Sequence, residues 1–165
     1  MAASYFIRRL TPLDQLFLWE MLYQSLYVPE GGRPFPRAAV HKPELAKYVE
    51  RWGRAGDLGL VATDSSSIEP IGAAWLRLLT GDASGYGYVD DETPELGIAV
   101  LPEHRGRGIG SDLLRHLIES AKAIYPSICL SVSLDNPALR LYERMGFERV
   151  GVRGSSVTMI RRLRA

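Results

Sequence analysis

The sequence has little cysteine and lacks long apolar runs, and both features exclude classes of protein. Cys129 is the only cysteine in 165 residues, which excludes an internal disulfide framework and a cysteine-based zinc site. A lone thiol fits a reducing cytosol, so we expect a cytoplasmic protein. No stretch approaches the roughly 20 apolar residues of a membrane span. The first residues also lack an apolar core of signal-peptide length, so we expect no leader.

An excess of charge of one sign is missing as well. The sequence has 20 Lys and Arg against 19 Asp and Glu, a net charge of +1. This balance gives no reason to expect nucleic acid or an anionic membrane as a partner. The three histidines (His41, His104 and His116) do not have the spacing of metal ligands, so we expect no metal. The length favours one domain over residues 1–165.

Apolar periodicity predicts seven strands and four helices in the order β-α-α-β-β-β-α-β-α-β-β. The predicted strands cover residues 4–9, 58–63, 70–79, 95–100, 128–134, 147–152 and 156–163. The predicted helices start at Thr11-Pro12, at Pro43, within 105–110 and at Asn136-Pro137. We expect the second helix to run to about Trp52, and Gly72 to mark a bulge in the third strand. The fold class is therefore mixed α/β.

The segment Arg105-Gly-Arg-Gly-Ile-Gly110 lies between a predicted strand and a strongly amphipathic helix. Its three glycines allow positive φ and a close approach of the backbone to a ligand. The following helix supplies unpaired N–H groups and the positive end of its dipole, which together suit a phosphate. Arg105 and Arg107 add positive charge. A plain tight turn would explain the glycines alone, but it would not require two arginines.

Two common phosphate loops do not fit these residues. The pattern GxxxxGK[ST] is absent, which excludes a Walker-type loop. The dinucleotide pattern GxGxxG places its first two glycines at Gly106 and Gly108, but its third position is Ser111.

The pattern R-x-x-G-x-G, preceded by ELGIAVLPEH, resembles the acetyl-CoA-binding motif of the GNAT N-acetyltransferase superfamily. The segment NPALRLYERMGF (136–147) is similar to the downstream motif of that family. The order and spacing of the two motifs also agree, and the clear resemblance covers about residues 95–150. It implies the GNAT fold, a mostly antiparallel mixed sheet of six to seven strands with four helices. It also implies an acyltransferase that carries the acetyl group of acetyl-CoA to an amine.

The resemblance implies specific roles for residues near the two motifs. The backbone of Ile98, Ala99 and Val100 would contact the acetyl carbonyl and the pantetheine arm. Asn136 would contact the pantetheine region, and Tyr142 would protonate the leaving thiolate. The pyrophosphate would lie on the amides of the turn and helix start, namely Arg105, Gly106, Arg107, Gly108, Ile109, Gly110 and Ser111. Structural interpretations stay open for two of these residues, because Tyr142 can be a packing residue and Asn136 a helix cap.

The general base is less determined than the acid. Family members often use a glutamate at or before the strand at 95–100, which offers Glu95 and Glu92. We favour Glu95 slightly, because Glu92 is separated from the strand by Thr93-Pro94. The alternative is that both are solvated acids at the start of a strand. Cys129 alternates with apolar neighbours and is interpreted as a core thiol.

The acceptor side is the least defined part of the prediction. In the resembling family it is built by the first two helices and the last hairpin, here about 23–52 and 151–156. The first segment carries many aromatics, including Tyr27, Phe35 and Tyr48, and Tyr86 could extend the same wall. We expect a small-molecule amine or a peptide N-terminus as acceptor, and a possible homodimer. The glycine-rich residues 80–88 could form a mobile flap.

Two other functions compete with acetyl transfer. A non-catalytic acyl-CoA-binding or sensor domain would share the glycine turn, but it would not need Tyr142 together with an acid near the strand at 95–100. A nucleotide-binding α/β module would share the helix start alone. Calorimetry that compares the binding of acetyl-CoA with that of ATP and NAD would separate the nucleotide-binding module from an acetyl-CoA-binding protein.

Overall fold

A seven-stranded sheet forms the centre of the molecule. The computed structural model describes residues 4–164. The strands are β1 (Tyr5–Arg9), β2 (Leu58–Asp64), β3 (Pro70–Arg77), β4 (Glu95–Val100), β5 (Ser127–Ser133), β6 (Glu148–Arg153) and β7 (Ser156–Arg162). Their spatial order is β1-β2-β3-β4-β5-β7-β6, and within the described part all neighbours are antiparallel except β4 with β5. The predicted mixed, mostly antiparallel sheet is confirmed.

Four α-helices accompany the sheet, as the sequence predicted. They are α1 (Gln15–Ser25), α2 (Pro43–Ala46), α3 (Ile109–Ala121) and α4 (Ala138–Arg144). A turn of 3-10 helix precedes α1, and Thr11 caps it by accepting from the amide of Leu13 at 3.3 Å. The carboxylate of Asp14 accepts from the amide of Thr11 at 2.9 Å, which completes a reciprocal cap. No helix within residues 4–164 has the length and apolarity to cross a bilayer.

The sheet separates two apolar cores. On one face α3 buries the stripe predicted from its periodicity, which consists of Ile109, Leu113, Leu114, Leu117, Ile118 and Ala121. On the other face α1 packs Leu18 and Met21 near Trp75. Strand β4 contributes to both cores, because Leu96 faces the α3 side and Ala99 faces the α1 side. This alternation places Glu95 and Leu96 on opposite faces of the sheet.

The second helix is shorter than the sequence indicated, and the prediction that it reaches Trp52 was wrong. The α-helix ends at Ala46, and turns continue to Arg51, which has a positive φ of 52°. Arg77 of β3 contacts this segment. Its guanidinium donates to the carbonyls of Lys47 (3.1 Å) and Glu50 (2.7 Å). These bonds stabilise the turns in place of a longer helix.

A bulge in β3 lies where the sequence placed one. Ala62 of β2 pairs with Gly72, but Thr63 pairs with Pro70, so Ile71 is the additional residue. Gly72 has little room for a side chain, because a Cβ there would lie 3.3 Å from the carbonyl oxygen of Ala99. The glycine thus permits close contact between β3 and β4 beside the bulge.

Candidate active site

The candidate site lies where the parallel pair β4 and β5 separates. The Cα register between these strands consists of one pair, Glu95 with Cys129. The amide of Cys129 donates to the carbonyl of Pro94 at 3.0 Å. Beyond this point each strand keeps its antiparallel partner on the other side, β3 for β4 and β7 for β5. The strands therefore diverge towards their carboxyl ends, and two cavities meet in the gap between them.

Unpaired backbone of β4 faces this gap. The amide of Leu101 donates to Ile71 in β3 at 2.9 Å, whereas the carbonyl of Val100 accepts from Arg105 Nε at 2.9 Å. Backbone groups point to alternate sides along an antiparallel strand, so Ile98 faces the same way as Val100, away from β3. The N–H and C=O of Ile98 are consequently directed into the gap. A ligand there would meet both a donor and an acceptor.

The glycine turn borders the larger cavity, which has a volume of about 810 Å³. Gly106 and Gly108 have positive φ values of 76° and 83°, and Gly108 directly precedes α3. No atom lies within 4 Å of a Cβ built at either glycine, so the space above the turn is open. The first amides of α3 have no partner in the helix and face this space with the positive end of the dipole. The arrangement suits a phosphate group.

The two arginines of the turn have different environments. Arg105 lines the large cavity, and its guanidinium also donates to Gln24 Oε1 of α1 at 3.1 Å. Arg107 does not line the cavity, because its guanidinium contacts Ser4 Oγ and His104 Nδ1, each at 3.0 Å. Arg105 and His104 are the basic residues among those that line this cavity. No Asp or Glu is among the lining residues. The wall therefore favours an anion.

Asn136 and Tyr142 line both cavities, which places them at the junction. Asn136 Oδ1 accepts from the amide of Ala138, the first residue of α4, at 2.9 Å, so its side chain satisfies one free amide at the start of this helix. Its amide nitrogen stays available to a ligand. Tyr142 is 9% exposed and packs edge-on against Phe147, with ring centroids 5.8 Å apart. Burial raises the pKa of Tyr142 to about 12, so its hydroxyl keeps its proton at neutral pH.

Glu95 lies at the inner end of the smaller cavity, which has a volume of about 420 Å³. It is 5% exposed, and its Oε2 accepts a hydrogen bond from the hydroxyl of Tyr48. Its Oε1 is buried without a hydrogen-bond partner among the residues that the structure describes. Burial raises the pKa of Glu95, and the hydrogen bond from Tyr48 opposes that shift. Such a carboxylate is suited to accept a proton.

The other acid proposed from the sequence has a different position. Glu92 is exposed in the loop before β4, and its amide donates to Asp90 at 2.9 Å. It is not among the lining residues of either cavity. Cys129 is a buried thiol whose pKa is raised by burial, as expected for a core residue.

Tyr48 is the residue of this site whose role sequence reasoning missed. The sequence predicted it as part of an aromatic wall. Its hydroxyl also donates to Glu95 and accepts from the amide of Tyr86 at 2.8 Å. It thus joins the turns after α2, the loop at 80–88 and β4. A side chain at Gly85 would overlap Glu95 Oε1 and the Tyr48 hydroxyl. That glycine was the one available signal of a close approach.

The aromatic residues predicted for the acceptor side are divided between cavity and core. Tyr27 and Phe35 line both cavities, and Tyr48 and Tyr86 line the smaller one. Trp52 is buried and lines neither cavity. The guanidinium carbon of Arg77 lies over its ring, 5.2 Å from the ring centroid. The last hairpin contributes Arg153 and Ser156.

Comparison with known proteins identifies the family of this fold and these motifs. Residues 57–149, more than half of the chain, match the family described as the acetyltransferase (GNAT) domain. The chain belongs to the GNAT family. A relative, the N-alpha-acetyltransferase RimI of Mycobacterium tuberculosis, is 47% identical over 57 residues, which cover 34% of this chain and 35% of that protein. The chain thus matches about a third of the length of that relative.

Solved structures with the GNAT fold cover nearly the whole chain. The PaiA N-acetyltransferase of Thermoplasma acidophilum in complex with coenzyme A is 22% identical, with a TM-score of 0.67 over 97% of this chain and 99% of that chain. A dodecameric spermidine N-acetyltransferase of Vibrio cholerae is 21% identical, with a TM-score of 0.63 over 97% and 94%. The GNAT fold predicted from the sequence is confirmed. In the described part of this GNAT domain, no cluster of three or more His, Cys, Asp or Glu residues could hold a metal ion.

Proposed function

We propose that this chain is an N-acetyltransferase that moves the acetyl group of acetyl-CoA directly to a primary amine. The observation that carries the proposal is the gap between β4 and β5. It joins a cavity bordered by a phosphate-type turn to a cavity that ends at a buried carboxylate. Asn136 and Tyr142 stand at the junction, where a thioester and an amine would meet. Such an arrangement brings two substrates into contact.

The larger cavity would hold the donor. Its volume of about 810 Å³ lies within the range of roughly 300–1,000 Å³ that is usual for ligand sites. The pyrophosphate would accept hydrogen bonds from the amides between Gly106 and Ser111, with Arg105 as a nearby cation. The backbone of Ile98 and the amide group of Asn136 would hold the pantetheine arm and the thioester in the gap. Acetyl-CoA supplies the activated acetyl group, and no metal is needed in this scheme.

Three groups of the chain would then carry the reaction. Glu95 accepts the proton of the acceptor ammonium, and the neutral amine nitrogen forms a bond to the thioester carbon. The N–H of Ile98 donates to the carbonyl oxygen as it gains negative charge. The nitrogen, positively charged after the attack, loses its second proton to solvent. When the carbon–sulfur bond breaks, Tyr142 gives its proton to the sulfur, and the products are an amide and free coenzyme A. Tyr142 regains a proton from solvent, and Glu95 releases its own.

The smaller cavity would take the acceptor. Its walls suit a small-molecule amine or a peptide N-terminus, and the relative named for N-alpha-acetyl transfer supports the second class.

A cytoplasmic location belongs to the same proposal, because Cys129 is a buried free thiol and fits a reducing compartment. A homodimer and a single domain over residues 1–165 also remain proposals.

Substitution of Tyr142 tests the function. We expect Tyr142→Phe to lower kcat for acetyl transfer by about 10²-fold or more, because it removes a general acid and keeps the ring. Binding of coenzyme A, measured by calorimetry, should stay unchanged. Tyr88→Phe is the matched control, because Tyr88 lines neither cavity. Its hydroxyl donates to Asp91 Oδ1 at 2.6 Å. This variant should keep full turnover.

Two outcomes would contradict the proposal in different ways. Unchanged turnover of Tyr142→Phe would remove the general-acid role of that residue. Tight binding of coenzyme A without acetylation of any amine in a broad panel would instead favour the acyl-CoA-binding sensor domain.

A further inference from the structure

The charges that line the smaller cavity define a narrow class of acceptor. Glu95 and Arg153 are the charged residues among those lining it. We propose that the acceptor is an amine with one positive charge and a large apolar group beside it, as at the N-terminus of a peptide that begins with a bulky aliphatic or aromatic residue. This inference rests on the proposed function and specifies the acceptor of the same site.

The inner end of the cavity can satisfy one ammonium group. Tyr48 donates to Oε2 of Glu95, and the backbone of Gly87 also lies close to this carboxylate. Within residues 4–164, Oε1 has no partner at hydrogen-bond distance. A carboxylate oxygen that is buried and unpaired is costly unless a donor reaches it. The ammonium of the acceptor provides that donor. A second ammonium on the same molecule would find no further carboxylate in the wall.

Aromatic rings form part of the wall of the cavity. Tyr86 stacks nearly parallel on Tyr48, with centroids 6.5 Å apart and an interplanar angle of 8°. Phe35 is 46% exposed and Tyr86 is 50% exposed at the edge of the cavity. Exposed rings of this size gain from contact with an apolar group that removes them from water. The group attached near the amine is therefore expected to be large and apolar.

The outer end of the cavity carries positive charge. Arg153 of β6 is exposed, and within residues 4–164 it forms no ion pair and its side chain no hydrogen bond. Its guanidinium can donate to a peptide carbonyl or a carboxylate beyond the first residue of the acceptor. The same charge repels a second cationic group at that distance. Polyamines are disfavoured, although a spermidine N-acetyltransferase shares the fold.

A comparison of three acceptors tests the inference. We would measure kcat/KM with two peptides that differ only in an N-terminal Leu or Ser, and with spermidine. The Leu peptide is expected to exceed the Ser peptide by about tenfold or more, as is usual for one bulky apolar group in a pocket. Spermidine is expected to be the poorest acceptor.

Two variants with matched controls locate the cause. Phe35→Ser should reduce the ratio of Leu to Ser peptide, whereas Phe6→Ser should not, because Phe6 is 42% exposed on β1 and lines neither cavity of the site. Arg153→Glu should raise kcat/KM for spermidine. Arg162→Glu makes the same charge change on an exposed residue of β7 outside both cavities, and should have no such effect.

The outcomes separate this inference from the function on which it rests. A preference for spermidine over the Leu peptide, or an unchanged peptide ratio in Phe35→Ser, would overturn the inference while acetyl transfer stands. No transfer to any of the three acceptors would contradict the proposed function, and the inference with it.

Discussion

The two oxygens of Glu95 have different environments, and Tyr48 creates the difference. The Tyr48 hydroxyl donates to Oε2, and the amide of Tyr86 in turn donates to that hydroxyl. Burial and the neighbouring carboxylate raise the pKa of Tyr48, so the hydroxyl stays protonated and remains a donor. Tyr48 does not reach the reacting atoms in our scheme. It is a positioning residue that holds the Glu95 carboxylate in place.

Tyr48→Phe should change the pH dependence of the reaction. The hydrogen bond from Tyr48 lowers the pKa of Glu95 against the effect of burial. Its removal raises the pKa of Glu95 further, so the base is protonated over a wider range of acid pH. The acidic limb of kcat/KM should therefore shift to higher pH, with recovery of activity at alkaline pH. A pH profile with one acceptor measures this, because ionisation of the acceptor is common to both proteins.

The groups around Glu95 define the control for that experiment. Lys47 and Tyr48 lie near it in the turns after α2, the backbone of Gly87 lies near it in the loop at 80–88, and Cys129 lies near it on β5. Glu95→Gln keeps the shape of the side chain and should abolish the limb that belongs to this carboxyl group. If Tyr48→Phe lowers activity equally at every pH, Tyr48 is only a packing residue.

Sequence patterns could identify Glu95 but not its partner. Glu95 is the first residue of the ELGIAV pattern and of β4, so its position follows from local sequence. Tyr48 is 47 residues away in the chain, and its hydrogen bond depends on how the turns after α2 pack on the sheet. Glu92 precedes the pattern by three residues, and only the fold shows that it is exposed outside both cavities.

At the scale of elements, the turn before α3 uses its glycines for two different reasons. Gly108 has a φ of 83°, which an L side chain adopts at a cost. Gly110 lies in the first turn of α3, has no positive φ, and a Cβ there would lie 3.9 Å from Val100 Cγ2. The protein itself therefore has room for a side chain at Gly110. A bound phosphate on the amides is what would require this glycine.

This difference predicts opposite effects on stability and similar effects on binding. Gly108→Ala should destabilise the free protein by about 1–2 kcal/mol, because it forces a left-handed alanine. Gly110→Ala should stabilise it by about 0.4–1 kcal/mol, because alanine restricts the unfolded chain. Both should raise the Kd for coenzyme A by about tenfold or more, the effect of one weakened hydrogen bond to a charged group. Thermal unfolding and calorimetry on the two variants would measure these changes.

Gly151→Ala serves as the control for these substitutions. Gly151 lies in β6 with no positive φ and no atom within 4 Å of a built Cβ. It should change the binding of coenzyme A little. Undiminished binding of coenzyme A by Gly110→Ala would contradict a phosphate at the start of α3.

Elements with strong local signals were predicted well, and one with a distant partner was not. The cap of Thr11, the apolar stripe of α3 and the bulge beside Gly72 depend on residues close in sequence. The turns after α2 contact Arg77, whose guanidinium forms a buried ion pair with Asp57 at 2.7 Å and donates to carbonyls of the segment after Ala46. Local propensity contains no information about that contact.

At the scale of the whole molecule, one change of strand direction generates both cavities. The other neighbouring strands of the described sheet run antiparallel and stay paired along their length. The parallel pair β4 and β5 has helix α3 in its connection, which brings the glycine turn to the carboxyl end of β4. The donor turn and the carboxylate of Glu95 thus lie at two ends of one strand. The strand of six residues spans roughly 20 Å.

Binding of the donor should therefore stabilise the whole fold, and not only the turn. A ligand that bridges α3, β4 and α4 binds the native state and not the unfolded chain. At a concentration of 100 times its Kd, it would add about 2.7 kcal/mol to the free energy of unfolding. For a chain of this size that corresponds to a rise in Tm of about 5–11 °C.

The same measurement separates a coenzyme A site from a general nucleotide site. We expect coenzyme A and acetyl-CoA to raise Tm, because both extend from the glycine turn into the gap beside Ile98. ATP and NAD at equal concentration carry phosphates but no pantetheine arm, so they should raise Tm much less. Gly110→Ala should reduce the shift with coenzyme A although its own Tm without ligand is higher. An equal shift with ATP would show that the turn alone determines binding, and would favour a nucleotide-binding module over an acetyltransferase.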